Sequence, residues 1–442
     1  MTSPSGPSQP SRAPRASSSS KGSAPKRSRG KSKGRHAKPS AKVFRRRRIL
    51  LGAAVVGLIF VTWLGISLGM ALTNPSYGVS YQARFAEWGR DHHMGGLVTW
   101  LEQQYNALNP PKKGGKPANG AINKKAKVVT ALPASCKYAT EPPKTVASPA
   151  GTNLPGEGVW VGAGRLTAGC PGVWTTTVRP DAVHTSYVAG LAWTDPKLIS
   201  FTLYSGSQIP GGGPYPNTAP IKPTAAETLV SAFNAGFRMQ DAQGGYYTAD
   251  KMVIPLRAGA ASAVIYKDGT MNIGAWGSDV TMNPNVVSVR QNLDLIVANA
   301  KPAAGLSASD NTKWGATLGG AATVWRSGMG VTKDGAIVYA GGPAMSITAL
   351  ADLLIRAGCV RAMELDINTD WVQSPFFSPP VGQPASPANG KPLLPDMAGG
   401  NSGPARYFAS WWTRDFFTSS ARFLANATMP APTTTTTTTT KK

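Results

Sequence analysis

From Ile49 to Leu72 the chain runs for 24 residues without a charged side chain. At a rise of about 1.5 Å per residue, a helix of that length covers the roughly 30 Å hydrocarbon core of a bilayer with some tilt. A buried core helix is shorter, and so is the apolar region of a cleaved signal peptide; the pattern therefore predicts a retained signal anchor over 49–72. Beyond it, Phe85, Trp88, Leu97, Trp100, Leu101 and Tyr105 recur at a spacing that predicts one or two amphipathic helices near the membrane surface, read here as a helical stalk. Asn109 to Gly158 then returns to Pro, Gly, Ala and Lys, the composition of a linker. Residues 73–158 are thus assigned to stalk and linker.

Over 159–425 the pattern changes to short β-branched runs bounded by turn residues, which read as strands: Leu198 to Tyr204, Ala263 to Tyr266 and Val286 to Val289. Two hairpins are predicted at Tyr266-Lys-Asp268-Gly269-Thr-Met271 and Val331-Thr-Lys-Asp334-Gly335-Ala-Ile-Val338, because Asp-Gly supplies the positive φ angles of tight turns. Between Ser346 and Ala357 the period becomes helical, with Ile347, Leu350, Ala351, Leu354 and Ile355 on one face, Ser346 as N-cap and Gly358 just past the end. A strand, Val360 to Asp366, follows at once. Residues 426–442 carry a threonine run that cannot pack a core.

Charge sharpens the topology. The net charge is +25, and fifteen of the basic residues lie in 1–48, which has no Asp or Glu. With so little apolar surface that segment cannot offset its ordering entropy and is expected to be disordered. Its last four residues, Arg45 to Arg48, abut the apolar helix, so the charge reads as a topology signal rather than a nucleic-acid interface. The expectation is a single-pass cell-membrane protein with a cytoplasmic N-terminus, an extracytoplasmic domain and no nucleic-acid partner. Of Cys136, Cys170 and Cys359, one disulfide and one leftover thiol are then allowed. Cys136 with Cys170 is preferred because both lie in Pro/Gly-rich sequence; three unpaired buried thiols are the alternative.

Familiar catalytic motifs are absent: there is no Gly-x-Ser-x-Gly, no His-Glu-x-x-His and no Walker phosphate loop. Of the four histidines only His184 falls in the domain, which leaves carboxylates. On a strand, Glu364 and Asp366 share one face with Cα atoms roughly 6.5 to 7 Å apart, a separation suited to dividing acid and base work. Taken alone, a solvated strand face followed by a polar turn is the stronger reading of Glu364-Leu-Asp366-Ile-Asn368-Thr-Asp370. Asn368 and Asp370 extend the acidic run, but Trp371 and Phe377 stand where a calcium loop needs Gly and Glu. That excludes an EF-hand and leaves room for an irregular divalent cation site, with no cofactor otherwise implied. Asn234 and Gly236 sit where an apolar run ends and would orient a sugar hydroxyl; an ordinary turn is the alternative. Arg326, before a Gly-rich strand, would clamp a phosphodiester; the alternative is a surface arginine.

Taken in order, these segments resemble the phosphodiester glycosidase family, which includes the lysosomal enzyme that removes N-acetylglucosamine from mannose 6-phosphate diesters and many bacterial exported proteins. Asn234-Ala-Gly236-Phe237 is similar to that family's Asn-Gly-Gly-Phe. Asp268-Gly269 with Trp276-Gly277 and Val289-Arg290-Gln291-Asn292-Leu293 are similar to its middle, Arg326-Ser-Gly-Met-Gly330 to its Arg-Thr-x-x-Gly, and Leu365-Asp366 to the start of its Leu-Asp-Gly-Gly-Gly-Ser. After Asp366 the chain departs, with Ile367 where the family has glycine, which is expected to obstruct close approach of a ligand. The resemblance implies an α+β domain, a mixed and largely antiparallel central sheet flanked by helices and preceded by the one transmembrane helix. It also implies hydrolysis of a sugar-1-phosphodiester of an envelope glycan, with Asp366 and Glu364 catalytic and Asn234, Gly236, Arg326, Asn368 and Asp370 binding substrate. The competing expectation is a catalytically inactive protein that binds envelope glycan or phosphopolymer.

Overall fold

The computed structural model describes residues 41–134, 136–315, 322–397 and 399–423; the expectations for the basic tail up to residue 40 and for 426–442 lie outside them. Two compact units are present, Met1–Trp63 and Leu64–Lys442. The described part of the first is helical throughout and carries exposed apolar side chains such as Leu50, Leu58 and Phe60. The helix, Ala41–Thr73, is long and apolar enough to cross a membrane. It starts at Ala41 rather than Ile49 because Arg45 to Arg48 are good helix formers and extend it beyond the apolar run.

The second unit holds three antiparallel sheets. The largest has eight strands in the order Val161–Thr167, Cys170–Val178, Ala189–Thr194, Ile337–Met345, Val324–Thr332, Cys359–Glu364, Leu295–Ala298 and Lys301–Pro302. Both its faces are covered, which explains why strand Ile337–Met345 at its centre carries no charged residue. Ile337 and Tyr339 point into one core, Val338 and Ala340 into the other. A five-stranded sheet containing Leu229–Asn234, Phe416–Ala421 and Ile199–Tyr204 shares the first core, as does a second five-stranded sheet containing Ala261–Tyr266, Met271–Ala275 and Val286–Gln291.

Both Asp-Gly hairpins form as their turn chemistry predicts, with Gly269 at φ +78° and Gly335 at φ +88°. Helix Ile347–Arg356 covers the second core; Ser346 Oγ accepts the Ala349 N–H at 3.1 Å, and Gly358, at φ +93°, ends the helix. Burying Leu350, Leu353 and Leu354 stabilises this packing by about 1.5–3 kcal/mol per side chain.

Segment 74–160 makes contacts that a freestanding stalk and linker would lack. Tyr81–Asp91 and Gly95–Leu108 are the two helices the spacing predicts. Asp370 Oδ2 accepts the Val79 and Ser80 N–H groups at 2.9 and 3.3 Å. Cys136 is disulfide-bonded to Cys170, and Cys359 is a buried free thiol. Val146 and Trp160 fill the same core as Val178 and Leu191. A segment poor in apolar residues reads as a linker, yet a few anchors suffice once a preformed sheet offers them a surface.

Candidate active site

The strand expected to reach Asp366 ends at Glu364. Ladder-like bonds continue for one more step, Leu365 N–H to Ser327 O at 2.8 Å and Ser327 N–H to Asp366 O at 2.7 Å. The chain then turns, because Asp366 Oδ1 accepts the N–H groups of Ile367 at 2.8 Å and Asn368 at 2.9 Å, an Asx turn that lifts the backbone off the sheet. Oδ2 has no hydrogen-bond partner among the described residues, and Asp366 borders a narrow pocket of 20 Å³, room for about one water. Burial pushes the Asp366 carboxyl up to about 6, against the pull of Arg414 and of the two N–H groups.

Asn234, Arg290, Asn292, Arg326, Glu364 and Asp366 of the resembling motifs are brought together, whereas Asp268-Gly269 and Trp276-Gly277 line neither pocket, and most of the former lie beneath this pocket. Arg326 is corrected from phosphate clamp to core residue. Its Nε donates to Met345 O at 3.0 Å, Nη2 to Ala322 O at 2.9 Å, and Nη1 to Trp314 O and to Glu364 Oε1, the last at 2.5 Å. A guanidinium with every nitrogen engaged and 1 % exposure has nothing left for a ligand. Glu364, fully buried, is likewise corrected: it pairs with Arg326 and has no access to substrate. Burial pushes its carboxyl up to about 7 although Arg326 pulls it down.

Asn234 is also structural, donating from Nδ2 to Ser327 Oγ at 3.0 Å and accepting from Tyr339 O–H at 3.0 Å through Oδ1. Gly236 makes room rather than binding: a Cβ there would lie 3.0 Å from Asn292 Oδ1 and 3.1 Å from Arg290 Nη2. Arg290 in turn pairs with buried Asp415 at 2.7 Å, and Asn292 Nδ2 donates to Glu364 O at 2.9 Å, tying this floor to the motif strand. Asp370 holds the segment before Tyr81 and accepts from Arg406 through its carbonyl at 2.7 Å. Ile367, expected to obstruct the site, instead packs into the second core with Phe237 and Leu350, away from the pocket. Only Asp366 and Asn368 of the proposed site residues border open space.

The 20 Å³ pocket shares Glu87, Arg238, Trp371 and Arg414 with a wider cleft of 240 Å³. Arg414 lies with its guanidinium 4.4 Å from the Trp371 ring centroid. Its Nη2 donates to Glu87 Oε1 at 3.1 Å, while Arg238 Nη1 donates to Glu87 Oε2 at 3.2 Å and Arg238 Nε to Asp241 at 3.0 Å. Arg414 and Trp371 escape motif reading. The available signal is Thr413-Arg-Asp415, a polar step between Trp411-Trp412 and Phe416-Phe417, since charges inside an aromatic run must find partners when buried.

Among the described residues no three His, Cys, Asp or Glu side chains converge as a metal site would require. Asp366 and Asp370 of the acidic run accept backbone N–H groups, and Glu364 pairs with Arg326. What the arrangement offers is a carboxyl pushed up to about 6 in the narrow pocket, beside two arginines and an indole face that the pocket shares with the wider cleft.

No protein-family model and no curated protein matches the chain. Among solved structures, it is similar to the catalytic domain of zebrafish N-acetylglucosamine-1-phosphodiester alpha-N-acetylglucosaminidase, 15% identical, covering 59% of this chain and 86% of that one at a TM-score of 0.34. A hypothetical protein from Synechocystis is similar at 11% identity, covering 57% of this chain and 63% of that one at a TM-score of 0.30.

Proposed function

We propose that the chain is a membrane-anchored extracytoplasmic hydrolase of sugar-1-phosphodiester linkages in envelope glycans. Asp366 carries this reading: it is the carboxyl of the family-like motif that borders the cleft, and burial holds it near 6. At neutral pH such a group is ionised and more basic than an ordinary carboxylate, which suits a general base. Water adds to C1 of the sugar and passes a proton to Asp366. The C1–O bond breaks with its electron pair leaving on the phosphate oxygen, which needs little help from an acid. Asn368 borders the same pocket as Asp366. The helix Ala41–Thr73 anchors the domain, and Arg45 to Arg48 place its N-terminal end in the cytoplasm.

The test is turnover of N-acetylglucosamine-1-phosphodiesters by the full chain in detergent, following which product keeps the phosphate. Free sugar and a phosphomonoester are expected, with kcat/KM rising as pH climbs through about 6. Asp366→Asn is expected to lower kcat by about 10²- to 10⁴-fold. A second reading, a non-catalytic protein that binds a phosphorylated glycan, is favoured by the seating of Glu87 on Arg238 and Arg414 within the cleft. Saturable glycan binding without turnover would decide for it.

A further inference from the structure

With Arg326 enclosed in the core, the hydrolase reading has no group to hold phosphate. The cleft contains one. Arg238 and Arg414 come from distant parts of the chain, the end of the Asn234 to Phe237 turn and the approach to strand Phe416–Ala421, yet both aim a donor at one point. That point is occupied by the carboxylate of Glu87, from helix Tyr81–Asp91.

The fit of Glu87 is incomplete. Its two oxygens take one donor from each arginine, and Arg414 Nη1, in a residue only 7 % exposed, finds no hydrogen-bond partner among the described residues. Buried arginine donors are seldom left unmade. A carboxylate has no third oxygen to offer; a phosphoryl group has, on a tetrahedral frame. The indole of Trp371 backs Arg414, holding the guanidinium in place and leaving its edge for an anion. Asp241 engages Arg238 Nε, while Nη1, which reaches Glu87, also lies 3.9 Å from Asp91 Oδ1.

We infer that Arg238 and Arg414 form the phosphoryl-binding subsite of this cleft, and that Glu87 occupies it as an internal stand-in which a phosphorylated ligand must displace. The subsite rests on the same cleft as the hydrolase reading, and it makes the phosphoryl group, rather than the sugar, the feature that selects the substrate. An attached carboxylate competes at high effective concentration, so the occupied cleft binds a free anion weakly.

The experiment is calorimetric titration of the full chain in detergent with inorganic phosphate at low salt. Glu87→Gln, which keeps the shape and removes the charge, is expected to tighten phosphate binding at least tenfold. Glu87→Asp, too short to bridge both arginines, should fall between the two. Adding Arg414→Gln to Glu87→Gln should abolish the gain. Acetate, with two oxygens, should bind Glu87→Gln more weakly than phosphate does. As a check independent of calorimetry, phosphate should raise the melting temperature of Glu87→Gln more than that of the wild type. Equal phosphate affinity in wild type and Glu87→Gln, or a gain that survives Arg414→Gln, overturns the inference. Binding is read without turnover, so failure to hydrolyse any sugar phosphodiester counts against hydrolysis alone.

Discussion

Two arginine–glutamate pairs occupy the same unit and do different work. Arg326 and Glu364 lie on neighbouring strands of the large sheet, 1 % and 0 % exposed, and every guanidinium nitrogen of Arg326 has a protein acceptor. Arg414 and Glu87 meet across a cleft, from a loop and a helix that are far apart in sequence, and one Arg414 donor has no acceptor. The first pair is closed: its hydrogen bonds are complete on the arginine side, and water and ligand are excluded. The second is open: it lines a cleft, and one guanidinium nitrogen of Arg414 has no partner among the described residues. Residue type is the same in both; the number of donors left over and the access to solvent separate a structural ion pair from a binding site.

Breaking the closed pair should give the largest effect. Arg326→Met leaves Glu364 alone in the core and is expected to destabilise the fold by about 3–5 kcal/mol at pH 8 in denaturant titration. The loss should shrink toward pH 5. Glu364 is already held near 7 by burial, and without Arg326 it rises further. Such a carboxyl takes up a proton on the acid side, and its penalty appears as pH rises through the folded value. Replacing both partners, Arg326→Met with Glu364→Leu, should recover most of the stability; a double variant no better than the single would break the distinction drawn here.

Asp366 lies between the two pairs and is expected to behave as a site residue that opposes stability. Its folded-state value near 6 exceeds the ordinary carboxylate value of 3.8, so it favours the fold below about pH 4 and loses that contribution as pH climbs through 6. Asp366→Asn keeps an oxygen for the Ile367 and Asn368 N–H groups and cannot ionise. It should therefore leave stability unchanged near pH 4 and raise it at pH 8, by on the order of 3 kcal/mol, measured by denaturant midpoints at the two pH values. Equal effects at both would show that Asp366 does not titrate as its burial dictates.

The smallest effect on stability belongs to the open pair. Arg414→Gln is expected to cost less stability than Arg326→Met, because one of its donors is unused and its partner Glu87 keeps Arg238. Phosphate binding should nevertheless be lost. A destabilisation matching that of Arg326→Met would erase the difference between the pairs.

Much of the architecture was legible along the chain because it depends on local rules. Twenty-four uncharged residues specify a helix able to span a bilayer; Asp268-Gly269 and Asp334-Gly335 specify hairpins because few other residues adopt positive φ; Ser346 and Gly358 bracket a helix because helix ends need their backbone groups satisfied. Periodicity also placed strands near Ile199–Tyr204, Ala261–Tyr266 and Val286–Gln291. Asn234, Asn292, Ser327 and Asp366 all belong to the motifs of the resemblance, but they come together from three different sheets, and their meeting is not a local property of the chain.

The role of each polar residue was settled only in three dimensions. Arg326 looked like a ligand clamp and became a core residue because strand pairing set it beside Glu364. Ile367 looked like an obstruction and turned inward because the Asx turn at Asp366 reverses the direction of the next side chain. Glu87 lay in what read as a stalk, and nothing in its neighbourhood announces that it meets Arg238 and Arg414, 151 and 327 residues away. Local chemistry dictates backbone shape, whereas burial, donor count and access are properties of the neighbours that folding brings together, and in this protein those properties divide the arginines enclosed in the core from those that line the cleft.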